Sequence, residues 1–352
     1  MSPWSKEVLG WADVEVLDPG TDLGTLSLPP VESTGEVYRV NSGDGSSEYL
    51  LLENRQRIGF DRNLYEPGLL IWHVDPVTVD SPPGGINDDP DRMGVWLRQA
   101  DGQNDLGTQN GGRGDGGDPF PGLFGTTEFH AGSNPGSFTH DGKSMGITLL
   151  DIEQVGEDMS FQAFTQYQSL NLLTEGSPSG GGLISVDGGP HGPAEWAVNS
   201  APFQRHIIEA APGEATEAGI RVGFQGWTDG GPRIREHTTE WEDASFTATF
   251  GGLEYLLDVA PRSPAMGISP GTIEFLGGDG TGWVPAGETV TVSATARTGF
   301  EFLEWGGALE GFPNPVTVTA LEPMQAQAFF GVTFSASSNP ASVEMSGGLQ
   351  HT

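Results

Sequence analysis

Glu48-Tyr-Leu-Leu-Leu-Glu53 and Gly68-Leu-Leu-Ile-Trp-His-Val-Asp75 are the two stretches whose reading decides the fold. Both are nearly continuous apolar runs of strand length, the pattern of strands buried on both faces. Working outward, Glu36-Val-Tyr-Arg-Val-Asn41 alternates apolar and polar residues, and Met93-Gly-Val-Trp-Leu-Arg-Gln-Ala100 predicts another strand. Strands return at 145–153 and 159–164. Between them, residues 101–122 form an acidic, Gly-rich loop with no periodicity. Upstream, residues 2–10 predict a short helix: Ser2 suits the N-cap, Pro3 the first helical position, and Gly10 the stop. Trp4, Val8 and Trp11 would share one face of it. A loop rich in Asp, Pro and Gly is expected to follow, to about residue 30.

Composition agrees with an all-β chain carrying one short N-terminal helix. The 54 Gly and 26 Pro among 352 residues suit short strands joined by many turns. A chain of this length predicts about two to four domains. The absence of Cys removes disulfides, thiolate metal sites and thiol nucleophiles. A net charge of −33 repels phosphate backbones and anionic lipid, which excludes nucleic-acid binding. No apolar run approaches the roughly 18 residues of a membrane helix, so no membrane insertion is expected. The N-terminal residues lack the charged and apolar regions of a signal peptide. Either the protein is intracellular, or the chain lacks its natural beginning.

The second half is repetitive. Gly299-Phe-Glu-Phe-Leu-Glu-Trp305 echoes Gly219-Ile-Arg-Val-Gly-Phe-Gln-Gly-Trp227, with Phe three before Trp in each. The two tryptophans lie 78 positions apart, and each is followed by an alternating strand, 244–250 and 324–330. A fixed period with the same strand order predicts tandem modules. The expected organisation is a mostly β first region (1–166), two β-modules (167–251 and 252–331), and the start of a further module or tail (332–352). Trp227 and Trp305 are expected as the core of the two modules rather than as sugar-stacking platforms.

Several blocks of the first region resemble one family. Glu48-Tyr-Leu-Leu-Leu-Glu-Asn-Arg-Gln56, Gly59-Phe-Asp61 and Gly68-Leu-Leu-Ile-Trp-His-Val-Asp75 are similar to the segment after the zinc site of immune inhibitor A-like secreted metalloproteases. Trp4-Ser-Lys6 with Leu9-Gly-Trp11, Gln99-Ala-Asp-Gly102 and Gly114-Asp-Gly-Gly-Asp-Pro-Phe-Pro-Gly122 resemble it too, in the same order. The resemblance implies a secreted or cell-surface zinc peptidase acting on proteins or peptides. The family's zinc ligands come from H-E-x-x-H, two imidazoles on one helical face with a Glu beside the bound water. None of the seven histidines here is followed by Glu or by another His four residues on. Two accounts stay open: a fragment whose zinc ligands lie upstream, or a non-catalytic relative. The tandem units resemble divergent internalin-B-type repeats, which implies a spacer or adhesive role with cell-surface or glycan contacts.

The candidate site residues follow. His73 is either a hydrogen-bonded core histidine orienting Asp75, or a cleft-lining group donating to the oxyanion or leaving amine. Glu53 and Arg55, two apart on a strand, face the same way and predict a buried pair, joined by Asp61. Asp101, Asn104, Asp105, Asp115 and Asp118 gather carboxylates in a flexible loop, and are either solvated or drawn together by Ca²⁺. Asn87-Asp-Asp-Pro-Asp91 is a lesser candidate for the same role. The expected function is the post-zinc-site part of a secreted metallopeptidase, inactive alone. The alternative is a non-catalytic extracellular binding protein.

Overall fold

The computed structural model describes residues 1–17, 22–80, 85–107, 114–179, 183–263 and 267–333. These residues are all-β, as the alternation predicts, and the three α-helices among them have six, four and four residues. The first half runs α1 (Pro3–Val8), β1 (Asp13–Leu17), β2 (Asp22–Leu28), α2 (Val31–Thr34), β3 (Glu36–Asn41), β4 (Tyr49–Arg55), β5 (Gly68–Val74), α3 (Pro76–Val79), β6 (Val95–Arg98), β7 (Ile147–Val155) and β8 (Asp158–Thr165).

Helix α1 forms as its caps predict: the Ser2 hydroxyl accepts from the Ser5 amide at 3.3 Å, and Gly10 has φ of +70°. Its predicted apolar face is not buried as a unit. Trp4 packs against a core, but Val8 and Trp11 are each 65% exposed, because the helix ends at Val8. The expected loop to residue 30 is also corrected. Val14 and Val16, then Leu23, Leu26 and Leu28, carry strand patterns that the Asp/Gly/Pro density hides; β1 pairs in parallel with β3, and β2 antiparallel with β8.

The chain divides into two compact units: Met1–Glu175 with Gly180–Ala211 and Gly226–Thr249, and Gly176–Ser179 with Pro212–Gln225 and Phe250 onward. The sequence-based boundary after 166 falls inside the first unit, and that after 251 falls inside a single long strand. The predicted tail lies outside the described residues from 334 on.

In the first unit a five-stranded sheet has the order β1-β3-β4-β5-β6. Strand β4 is at its centre and is buried on both faces. Leu50, Leu52, Leu69 and Ile71 enter one core, closed by Met159 and Phe161 of β8 and Leu149 of β7. Tyr49, Leu51 and Val74 enter a second core on the other face. This two-sided burial is why the run Tyr-Leu-Leu-Leu shows no alternation.

The second half contains β9 (Gln168–Glu175), β10 (Ile184–Val186), β11 (Glu195–Ser200), β12 (Arg205–Ala210), β13 (Gly213–Glu217), β14 (Ile220–Trp227), β15 (Ile234–Thr238), β16 (Ala244–Arg262), β17 (Gly271–Leu276), β18 (Trp283–Pro285), β19 (Thr289–Ala296), β20 (Phe300–Gly307), β21 (Val316–Thr319) and β22 (Met324–Val332). In the first unit β10, β12 and β15 form an antiparallel sheet, and β9 pairs in parallel with the start of β16 (Leu170 opposite Ala244). In the second unit β17, β19 and β21 form an antiparallel sheet, and the end of β16 pairs in parallel with β22 (Leu257 opposite Met324). The 19-residue β16 thus provides the parallel partner in both patterns.

The Phe-x-x-Trp spacing has a structural cause in the second unit. Residues three apart on a regular strand point to opposite faces. Strand β20 carries a bulge between Phe302 and Glu304, which restores Phe302 and Trp305 to one face. Their rings meet edge-on at 5.0 Å, and Phe330 of β22 packs edge-on against Phe302 at 5.9 Å.

Candidate functional site

The central sheet of the first unit carries a polar cluster on each face. On one, Glu48 precedes β4, His73 sits opposite Leu50 on β5, and Arg98 ends β6. His73 is 1% exposed. Its Nε2 lies 2.6 Å from the Glu48 carboxylate and its Nδ1 lies 2.9 Å from an Arg98 guanidinium nitrogen. A guanidinium only donates, so Nδ1 is the acceptor and Nε2 carries the proton given to Glu48. The His140 amide also donates to Glu48 at 3.0 Å, and the His140 ring stacks on His73 at 4.9 Å. Burial pushes His73 down to about 4; the Glu48 hydrogen bond opposes this and the Arg98 charge adds to it. Burial likewise pushes Arg98 down to about 10, so it remains charged at neutral pH.

Sequence reasoning gave His73 the partner Asp75. The structure gives it Glu48 and Arg98, while Asp75 caps α3, accepting from the Val77 amide at 3.0 Å, and meets Arg92 at 3.0 Å. Burial works against ionisation of Asp75, but the Thr78 hydroxyl, Arg92 and the capping amides outweigh it and hold the carboxyl low. Glu48, His73 and His140 lie close enough to share a metal ion. Zinc does not fit them: Arg98 occupies His73 Nδ1, which keeps the proton on the Nε2 that faces the group, and a second cation, Arg92, stands 4.0 Å from Glu48.

On the opposite face Glu53 is fully buried and receives three donors. Lys6 Nζ lies at 2.9 Å, Arg55 Nη2 at 3.1 Å and Trp72 Nε1 at 3.2 Å. Arg55 Nε is 3.6 Å from Asp61, so the predicted trio Glu53, Arg55 and Asp61 is adjacent. Lys6 and Trp72 were missed. Lys6 arrives from 47 residues away, and Trp72 becomes a neighbour through the β4–β5 register.

Three of the five acidic-loop candidates come together. Asp101, Asp115 and Asp118 each offer a carboxylate oxygen within 4.8 Å of the others. Asn104 instead accepts from Trp96 Nε1 at 2.9 Å, and the Asp105 amide donates to Gln99 at 2.9 Å. Burial, then the charges of Asp105, Asp115 and Asp101, push Asp118 up to about 6, against a hydrogen bond from the Asp115 amide. The loop residues 108–113 lie outside the described residues. In the lesser candidate stretch, Asn87 is engaged with the Val95 backbone, donating at 2.8 Å and accepting at 3.0 Å.

One constellation escaped sequence reasoning. In the first unit Ser200 Oγ lies 2.7 Å from His206 Nε2, and His206 Nδ1 lies 2.7 Å from Asp187. That is the bonding order of an acyl-transfer triad. Ser200, however, is fully buried and its hydroxyl also meets Thr239 at 2.6 Å, so no substrate reaches it. The chain of bonds ties β11 to β12 and to the end of β15. Only the register, which sets His206 opposite His237 on β15, makes it visible.

Trp227 and Trp305 are both buried, at 4% and 1% exposure. Each indole N–H donates to a proline carbonyl in the turn that follows, Pro232 at 2.9 Å and Pro313 at 3.1 Å.

No family model matches the chain, and no curated protein matches it. Among solved structures it is similar to the Bacillus anthracis TIE protein, at 9% identity and a TM-score of 0.18 over 53% of this chain; it spans 41% of that protein. It is also similar to a variant of the major pilin of Streptococcus pyogenes, at 8% identity and a TM-score of 0.16 over 48% of this chain and 99% of the pilin. The T-13 major pilin of the same organism matches at 7% identity and a TM-score of 0.16, over 47% of this chain and 96% of that one. Likenesses this weak carry no argument about function. No helix among the described residues is long and apolar enough to cross a membrane.

Proposed function

We propose that the first unit is a supporting part of a secreted zinc metallopeptidase resembling immune inhibitor A, with the zinc ligands supplied from outside this chain. The observation that carries this reading is the ordered set of family-like blocks between Trp4 and Gly122. Their residues supply α1, the central strands β4 and β5, and the acidic loop. A further support is a hollow of about 550 Å³ beside α1, lined by Met1, Trp11, Ile58 and Phe60 among others. Phe60 is fully exposed there, beside the charged side chains of Lys6, Glu32 and Asp61. In the intact enzyme a zinc-bound water would attack the peptide carbonyl, and this unit would shape one wall of the cleft. Glu53, held by Lys6, Arg55 and Trp72, keeps that wall rigid.

The isolated chain is expected to show no peptidase activity with added Zn²⁺. Casein hydrolysis by the pure chain, abolished by a zinc chelator, would overturn that expectation. The coding sequence on the 5′ side tests the wider reading: an H-E-x-x-H in frame supports it, and a ribosome-binding site directly before Met1 defeats it. In the latter case the repeated strand pattern of β9–β22 favours the second reading, an extracellular binding protein whose β-modules contact a cell surface or glycan.

A further inference from the structure

We propose that Asp101, Asp115 and Asp118 form a Ca²⁺ site, an assignment that stands whether or not the chain belongs to a peptidase. Two backbone anchors build it. The Ala100 amide donates to the Asp118 carbonyl at 2.9 Å, which sets Asp118 beside Asp101 at the end of β6. Leu69 and Phe120 exchange backbone hydrogen bonds at 2.9 Å in each direction, which pins the same segment to β5. The backbone from Asp118 to Phe120 is therefore held against the sheet, which keeps the Asp118 carboxylate beside Asp101.

Asp118 is the second, independent sign of a ligand. The residue is 7% exposed, and its Oδ1 is shut off from solvent without a hydrogen-bond partner. Its Oδ2 takes the Asp115 amide at 2.7 Å. An anionic oxygen buried beside two further carboxylates costs free energy unless a cation meets it. Among the described residues the nearby cations Arg55 and Arg57 are engaged elsewhere, Arg55 with Glu53 and Asp61, and Arg57 with Glu66.

The donor set selects the ion. Three carboxylates with no nitrogen or sulfur suit a hard cation, and Ca²⁺ tolerates irregular geometry completed by carbonyls and water, whereas Mg²⁺ demands a near-ideal octahedron. The glycines keep the space open. A Cβ on Gly117 would stand 2.6 Å from Asp101 Oδ2 and 3.1 Å from Asp115 Oδ1, and one on Gly114 would collide with Asp118 Oδ2. A hollow of about 200 Å³ borders Asp115 and Asp118, together with Leu106 and Trp72.

The test is calorimetric titration of the metal-stripped full chain with CaCl₂, with melting curves in chelator and in millimolar Ca²⁺, for wild type and Asp118→Asn. Wild type should show saturable binding of one ion and a raised melting temperature, because the ion binds the folded state preferentially. Mg²⁺ at the same concentration should do neither. Asp118→Asn should bind at least about tenfold more weakly and lose the melting response. In chelator the variant should melt at or above wild type, because a buried like-charge contact has gone, and this shows that it folds. Absence of saturable heat at millimolar Ca²⁺, equal binding by the variant, or an equal effect of Mg²⁺ would overturn the proposal. So would a variant that melts well below wild type in chelator. None of these readouts depends on peptidase activity.

Discussion

Trp305→Ala should destabilise the second unit by about 3–5 kcal/mol, the usual range for emptying a buried aromatic site. Trp305 is among the largest fully buried side chains, and Val292, Val316, Ala328 and Phe330 belong to the same core. The loss has two parts. The indole's apolar surface no longer leaves water on folding, and the cavity left behind is bounded by β-branched and aromatic neighbours on paired strands that close over it poorly. The Pro313 carbonyl also loses the indole N–H. At about 4 °C per kcal/mol for a region of this size, the melting transition should fall by roughly 12–20 °C. Trp305→Phe should lose less, since it keeps the edge-on contact with Phe302. Trp227→Ala should behave like Trp305→Ala, because Trp227 packs edge-on against Phe246 at 6.4 Å and makes the same kind of bond to Pro232. Melting temperatures unchanged by either alanine would defeat the reading of these residues as module cores.

The second large effect is an acid-driven loss of stability that depends on His73. In the folded chain its ionisation is pushed down to about 4, whereas an unfolded imidazole titrates near 6.5. Above 6.5 both states are neutral and the full stabilisation is present. As pH falls from 6.5 towards 4, the unfolded chain takes up a proton that the folded chain refuses, so stability falls across that window. Below about 4 both states are protonated and nothing further is lost. The total for this one group is about 3 kcal/mol. The surrounding charges agree with the direction: Arg98 at Nδ1 opposes a second positive charge, and the Glu48 carboxylate only partly compensates burial. His73→Gln offers an acceptor for Arg98 and a donor for Glu48 without a titratable ring. Denaturant unfolding at pH 7, 6, 5 and 4 should show the variant losing less stability than wild type over that range. Parallel pH profiles for the two proteins would show that His73 titrates normally and that its buried geometry is wrong.

Much of the fold is legible in the residues. Glu36–Asn41, the 48–53 and 68–75 runs, and the runs 145–153 and 159–164 read as strands because side-chain alternation or its loss reports directly which faces are buried. Ser2, Pro3 and Gly10 place α1 because capping is local chemistry. The Phe-x-x-Trp motif marks the aromatic core of the second unit, although its spacing makes sense only with the bulge in β20. Strands β1 and β2 were hidden because the Asp, Gly and Pro between them dominate the composition of residues 11–30, and their stability comes from pairing with β3 and β8.

By itself, then, the sequence determined the all-β class, the buried character of β4 and β5, the pair Glu53–Arg55, and the concentration of carboxylates after β6. These follow from short-range rules: period-two alternation, capping, and charge density. The tertiary structure alone decided which polar groups meet. It gave His73 to Glu48 and Arg98, brought Lys6 and Trp72 to Glu53, and linked Ser200, His206 and Asp187. It also kept Asp101, Asp115 and Asp118 together while turning Asn104 towards Trp96. The strand-borne members, His73, Arg98, Glu53, Trp72, Ser200 and His206, depend on register, and a shift of one residue would turn such a side chain to the other face.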